Sequence, residues 1–323
     1  MTESVALLIL PHLRVQNANA VSGPLTWGFP SPTAFTGFAH AIQRRFSNEL
    51  NTGIGGVGIV CHRFDPQVTK PPGRHTRVFN LTRNPIKPNG KPASFFEEGR
   101  AHMEITLLIA VHDFMTLRTG EQFARDIMQA VEGMRLAGGA ILPTRPGLRF
   151  QGMWLPLADD TEGQSEQFRK LRRTLLPGFA LVQREDVLAA HMDELREKRP
   201  RANALDALLD LSRLNFEPDL PDPDRPGEIM WGIRAKPGWQ VPLPVGYAAL
   251  SEPYEPGRVK NTRDDSTPFR FVECLYSLGE WVSPHRVTNL EQLLWHRVTK
   301  PDQGLYLCVN HYSNHRTTAS TGA

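Results

Sequence analysis

The run VALLILPHLRVQ, Val5 to Gln16, constrains the chain more than any other stretch. Its aliphatic residues suit a strand buried in a sheet, and they fall far short of the roughly 20 apolar residues a bilayer demands of a helix. A helix is predicted next. Ser31, Pro32 and Thr33 offer capping chemistry, and Phe35, Phe38, Ile42 and Phe46 recur at helical spacing around Arg44 and Arg45. Gly53 to Gly58 leads into a second strand, VGIVCHRF, so the GxGxxG spacing there enters a strand, whereas a dinucleotide loop would open a helix. Lys70-Pro71-Pro72-Gly73 then breaks into RHTRVFNLTRN, one arm of a ribbon with a turn at Asn89-Gly90.

Further along, Arg100 to His112 reads as a strand, Gly120 to Leu136 as an amphipathic helix closed by Gly138-Gly139, and Pro177 to Gln183 as a short strand. This order resembles a ferredoxin-like βαββαβ unit in an α+β chain. Residues 1–183 are expected to form that domain and 184–229 a helical insertion ending in the Pro/Asp-rich segment from Phe216 to Gly227. Residues 230–323 are expected to form an irregular C-terminal lobe with a polar tail.

Charge is segregated along the chain. From Ser4 to Phe96 ten Lys and Arg face two acids, whereas Glu185 to Glu228 carries twelve acids against six bases. A basic amino-terminal part and an acidic middle suggest a polyanion on one side, although two solvated faces would give the same count. Cys61, Cys274 and Cys308 lack any CxxC spacing, which points to free thiols in a reducing cytoplasm and to neither a disulfide framework nor a zinc site. Glu3 and the lack of a leading basic stretch argue against a secretory signal. His102 and Glu104 form an HxE without the PCxxC of zinc deaminases, so they simply share one strand face. No metal and no cofactor are expected.

Several segments carry groups suited to unpaired RNA. Gln16, Asn17, Asn19 and Ser22 lie in a stretch of amides and small residues that a nucleotide backbone could approach, and Trp27 and Phe29 beyond it could stack on bases or be buried under the first helix. Arg74, Arg77, Asn80, Arg83 and Asn84 alternate with Val78 and Leu81 on the ribbon, giving either a basic face or a charge-protected edge strand. Arg135, Gly138 and Gly139 could present a cation and bare amides to phosphate, or be a plain helix cap. FRKLRR, from Phe168, suits phosphate contact or a solvated helix face equally. A metal-independent endoribonuclease using His62, His75 or His102 is the enzymatic alternative.

Nine strings spread over nearly the whole chain carry a resemblance: LRVQNANAVSGPLTWGFPSPTAFTGF, GIVCHRFDPQ, RVFNLTRNPI, EEGRAHMEITLL, MRLAGGAILP, LLPGFALV, LDALLDL, KPGWQVPLPVGYAALS and STPFRFVECLYSLGEWVSPHRV. In that order they resemble the Cas5-type subunit of type I-F CRISPR surveillance (Csy) complexes. The resemblance implies an RRM-like domain with a thumb hairpin at about 68–95, and a non-catalytic subunit that binds the 5′ handle of the crRNA. It further implies a heterodimer with the large subunit, contact with the first copy of the repeating backbone subunit, and support for engaging target double-stranded DNA near the PAM. By the same analogy Asn17, Asn19, Trp27, Arg77, Asn80, Arg83, Arg135 and Gly138 are handle contacts, in a cytoplasmic ribonucleoprotein with no membrane partner.

Overall fold

The first strand has little polar alternation because both of its faces are covered. In the computed structural model, Ala6–Asn19 (β1) sends Leu8 and Leu10 into one hydrophobic cluster and Leu7 and Ile9 into another. Arg100–Val111 (β3) does the same over its second half: Leu107 and Ile109 enter the first cluster, Leu108 and Ala110 the second. The structure describes residues 4–313 apart from 75, 84, 144–149, 219–230 and 237.

Two helices cover the first face. Pro32–Arg45 (α1) starts from Ser31, whose hydroxyl accepts from the Thr33 N–H, and buries Phe35, Phe38 and Ile42. Gly120–Val131 (α2) starts from a capping box between Thr119 and Gln122 and buries Phe123, Ala124, Ile127 and Val131. Among the described residues the other face is covered over part of its length, by Phe168 and Leu171 of Thr161–Thr174 (α3) together with Val287, Leu293 and Tyr312. Beyond that cover, alternation returns: His12, Arg14 and Gln16 of β1 and His102 and Glu104 of β3 remain at least partly exposed, while Leu13, Val15, Met103 and Ile105 point into the core. This open half of the sheet positions the candidate site.

The sheet is antiparallel and has eleven strands. Ile54–Pro66 (β2) and β1 both pair with β3, so β1 and β2 run parallel with β3 between them and α1 crossing from one to the other. Arg135–Leu136 (β4) and Gly139–Leu142 (β5) form a hairpin whose second strand lies on the free edge of β1, and Met153–Pro156 (β6) continues along that edge. The strand Phe179–Gln183 (β7), expected to complete a βαββαβ unit, instead pairs with β2 and with the C-terminal part, so the fourth position beside β1 belongs to β5.

The region expected to be an irregular lobe contributes four strands: Trp239–Ala249 (β8), Val272–Val282 (β9), Leu294–Lys300 (β10) and Leu305–Asn310 (β11). They run β9, β8, β11, β10 between β7 and β2, and because β7 also pairs with β2 the strand path closes on itself. Trp295 is fully buried and donates Nε1–H to the Leu181 carbonyl at 2.8 Å, and Gln183 and Asn310 exchange side-chain and backbone hydrogen bonds at 3.1 and 2.9 Å, tying this circuit together. Close approach explains the glycines of β2: a Cβ on Gly56 would lie 2.6 Å from Leu294 Cβ.

Three local expectations also change. The second helix ends at Val131, and Gly138-Gly139 belongs to the β4–β5 hairpin: Ala137 and Gly138 have φ of 49° and 76°, the two positive values a tight two-residue turn requires, so the helix-cap reading falls. The helical stretch after Gln183 is two helices, Glu185–Lys198 (α4) and Ala204–Ser212 (α5), the second with an Asn203–Asp206 capping box. The thumb at 68–95 is two small ribbons, Val68–Thr69 with Val78–Phe79 and Leu81–Arg83 with Phe95–Glu97.

Candidate nucleic-acid interface

Two departures from regular pairing shape the open half of the sheet. Strand β1 changes register against β3 between Leu10 and Leu13 and again between Val15 and Ala18. Within these bulges His12 and Asn17 adopt left-handed backbone angles, φ 50° and 57°, and bulges re-aim side chains in this way. Asn17 is thereby turned towards β3, where its N–H donates to His102 Nδ1 at 3.2 Å. The Gln67 side-chain amide lies 2.8 Å from both the Asn17 side chain and His102 Nε2.

Around this cluster lies a cleft of about 430 Å³ lined by Gln16, Asn17, Gln67, Thr82, Glu98, Arg100, Arg135 and Gly138. Arg135 is exposed and donates to the Gly138 carbonyl at 3.1 Å, which keeps its guanidinium over the hairpin turn. Arg100 is already engaged by Glu98, at 2.7 Å, so Arg135 is the cation of the cleft without a carboxylate partner among the described residues.

A second cavity, about 620 Å³, lies next to the first along the chain: Pro66 lines it and Gln67 lines the other. Its walls are aromatic. Phe29 meets Trp281 edge to face at 4.8 Å and lies 5.7 Å from Phe64, and Phe179 meets Trp239 at 5.6 Å. Trp27, Trp239 and Phe179 are 51%, 59% and 44% exposed, and Arg63 and Arg77 contribute positive charge. Cys61 also lines it, but burial pushes its thiol up to about 12, so it is no nucleophile at neutral pH.

The residues nominated from sequence divide between these places. Gln16, Asn17, Arg135 and Gly138 meet in the polar cleft, and Ser22, Trp27, Phe29 and Arg77 line the aromatic cavity. Asn19 belongs to the strand, and its amide is used locally, donating to the Val21 carbonyl at 2.8 Å and accepting from the Val21 N–H at 3.1 Å. Ser22 accepts from the Ser31 N–H at 3.1 Å, and Asn80 Oδ1 accepts from the Thr69 hydroxyl at 2.7 Å. Arg74 is exposed and lines neither space. Gly139 serves packing, since a Cβ there would lie 2.7 Å from backbone atoms of Gln16 and Ala18. Asn84 and the side chain of Arg83 lie outside the described residues, as does His75.

Sequence reading missed Gln67 and Arg100 in the polar cleft, and Trp239, Trp281 and Phe179 in the aromatic one. These rings sit more than 100 positions from Trp27, and no local spacing links them. It also missed His12, which donates or accepts through Nδ1 with Glu104 at 2.6 Å and is stacked between His62 at 4.1 Å and Phe150 at 3.8 Å. Both nitrogens of His62 are engaged, with the Pro177 carbonyl at 2.6 Å and the Thr106 hydroxyl at 2.7 Å, and burial lowers its pKa. Among the described residues no group of three or more His, Cys, Asp or Glu side chains could hold a metal ion, and no helix is long and apolar enough to cross a membrane.

Comparison with known proteins names the family. A family model described as CRISPR-associated protein (Cas_Csy2) matches residues 8–308. A relative from Pseudomonas aeruginosa (strain UCBPP-PA14), "CRISPR-associated protein Csy2", is 52% identical over 313 residues, covering 95% of each chain. These matches replace the Cas5-type designation suggested by the motifs with that of Csy2, a type I-F CRISPR-associated subunit. The chain belongs to the Csy2 family of CRISPR-associated proteins.

Proposed function

We propose that this chain is a non-catalytic RNA-binding subunit of a type I-F CRISPR surveillance complex, and that it holds the repeat-derived 5′ handle of the crRNA. In this reading it pairs with the large subunit as a heterodimer, contacts the first backbone subunit at the end of the filament, and supports engagement of target double-stranded DNA near the PAM. Membership of the Csy2 family supports a place in the complex. The strand order β2, β3, β1, β5, with α1 and α2 packed on one face, supports an RRM-like reading of the amino-terminal part.

The observation that carries the proposal is the convergence of Gln16, Asn17, Gln67, Arg135 and Gly138 on one open cleft beside a basic ribbon. Amides can read base edges, and an exposed hairpin turn with a nearby guanidinium suits a phosphate. The test is RNA retention by the assembled complex carrying Gln16→Ala together with Arg135→Glu. The expected outcome is about ten-fold weaker retention, worth about 1.4 kcal/mol. Unchanged RNA content at raised salt would sink it.

One observation favours a second reading, a metal-independent endoribonuclease: His12 is oriented by Glu104 in the manner of a base held by a carboxylate. Weighing against it, His62 and His102 each have both ring nitrogens engaged, and neighbouring rings stack on both sides of His12. The expected result of incubating the complex with repeat RNA in chelator is no cleavage. Specific cleavage abolished by His12→Ala would reverse the assignment.

A further inference from the structure

We infer that the aromatic cavity between Trp27, Phe64, Trp239 and Trp281 is a receptor for one unstacked nucleobase of the RNA whose backbone lies in the polar cleft. The inference rests on the RNA-binding reading and deepens it.

Four features point to a base. The first is the shape of the lining: Phe29, Phe64, Phe179, Trp239 and Trp281 form a chain of ring contacts between 4.8 and 6.4 Å, which gives a ligand planar walls. Aromatic side chains receive splayed bases because every base has a π-face. The second is exposure. Trp27 and Trp239 leave more than half of their surface open, 51% and 59%, and so large an apolar area on a solvated protein marks a surface that something covers.

The third feature is charge. Arg63 and Arg77 share the lining with the rings, and Arg77 has no carboxylate partner among the described residues. Arg63 has only an exposed partner, Asp65, at 3.5 Å. An apolar slot with cations in its walls suits a group that is flat and attached to phosphate. A partner's leucine or phenylalanine would leave those guanidiniums without a counter-charge. The fourth is continuity. Pro66 and Gln67, neighbours in the chain, line the aromatic cavity and the polar cleft respectively, and the end of β1 with the segment that follows it supplies both, through Gln16 and Asn17 on one side and Ser22, Thr26, Trp27 and Phe29 on the other. A strand lying across the cleft can therefore turn a base into the cavity. The Thr26 hydroxyl, also in the lining, is buried without a hydrogen-bond partner among the described residues.

The experiment uses the assembled complex with guide RNA in which one leader base at a time is replaced by an abasic ribose, set against Trp239→Leu and Trp27→Leu in this chain. Both tryptophans are more than half exposed, so neither change threatens the core. At one leader position the abasic site and Trp239→Leu should each weaken RNA retention by about ten-fold, and the two together should cost little more than one alone. A 4-thiouridine at that position should crosslink to peptides containing Trp27 or Trp239. If Arg135→Glu releases RNA but Trp239→Leu is additive with every abasic position, the cavity holds no base and only this inference falls. If neither Arg135→Glu nor Trp239→Leu affects RNA, the RNA-binding reading falls with it. If Trp239→Leu leaves RNA in place and releases a protein subunit, the occupant is a protein side chain and the inference is wrong.

Discussion

The open half of the sheet and the segment from α4 to Lys236 handle charge in opposite ways. In the latter, Asp210 has a side chain only 7% exposed, and three cationic or potentially cationic groups reach it: His191 Nε2 at 2.8 Å, Arg213 at 2.8 Å and Arg234 at 2.6 Å. Lys236 donates to the Asp210 and Leu211 carbonyls at 2.9 and 2.8 Å. Burial by itself would raise the Asp210 carboxyl, but hydrogen bonds from His191, Arg234 and Arg213 outweigh it and hold the pKa well below the carboxylate range. On the ribbon beside the open half, Arg74 and Arg77 are exposed and have no carboxylate partner among the described residues. A count of acids and bases per segment therefore says little about availability. The acidic middle uses a central carboxylate in its own fold, whereas Arg74 and Arg77 of the basic part are left without one among the described residues.

The contrast is sharpest at Asp210. Asp210→Ala removes the common partner of several cations and should destabilise the protein by about 3–5 kcal/mol, read as a large drop in Tm, with RNA retention unchanged at temperatures where the variant is folded. A loss below about 1 kcal/mol would mean that the network behaves as a solvated surface cluster. On the other side, Arg74→Glu with Arg77→Glu should leave Tm nearly unchanged and weaken RNA retention. The salt dependence should flatten by about 0.7 in log–log slope for each phosphate that is no longer neutralised. An unaltered slope would remove the ribbon from the interface and leave its arginines as solubilising charge.

The sheet and its first two helices were legible because each element carries its own periodicity: Phe35, Phe38 and Ile42 mark one face of α1, and the Gly-rich entry to β2 was correctly separated from a dinucleotide loop. The C-terminal strands were less legible. Pro242 and Pro244 within β8, together with glycines at 246 and 279, look like turn chemistry in a one-dimensional reading. In the folded chain, Pro242 and Pro244 sit opposite Leu278 and Tyr276, and a register shift follows Pro244. The site was half legible. Asn17 and Arg135 could be nominated by type, but the bulges that aim Asn17 and His12 depend on pairing with β3. The rings that face Trp27 come from strands that only the closed circuit brings near.

Acidification separates the two regions by a smaller effect. Burial lowers the pKa of His62, and so does neighbouring His12; the Pro177 carbonyl and Glu104 oppose the shift without cancelling it. A histidine lowered in the folded state favours folding while it is neutral. Its contribution is complete above the unfolded value of about 6.5 and is lost as pH falls through the lower folded value. Asp210, held below its ordinary value, keeps its contribution until the pH falls below about 4. The open half should therefore loosen first on acidification and the Asp210 network later. Hydrogen exchange should show β1 and β2 around His62 losing protection as the pH falls below about 6.5, with α5 still protected. His40, lowered by burial and by Arg297 and Arg44, works in the same direction on α1, so His62→Gln should remove part of the early loss and leave the rest. If α5 exchanges first, or if His62→Gln leaves the profile unchanged, the two regions do not differ in the way their buried groups require.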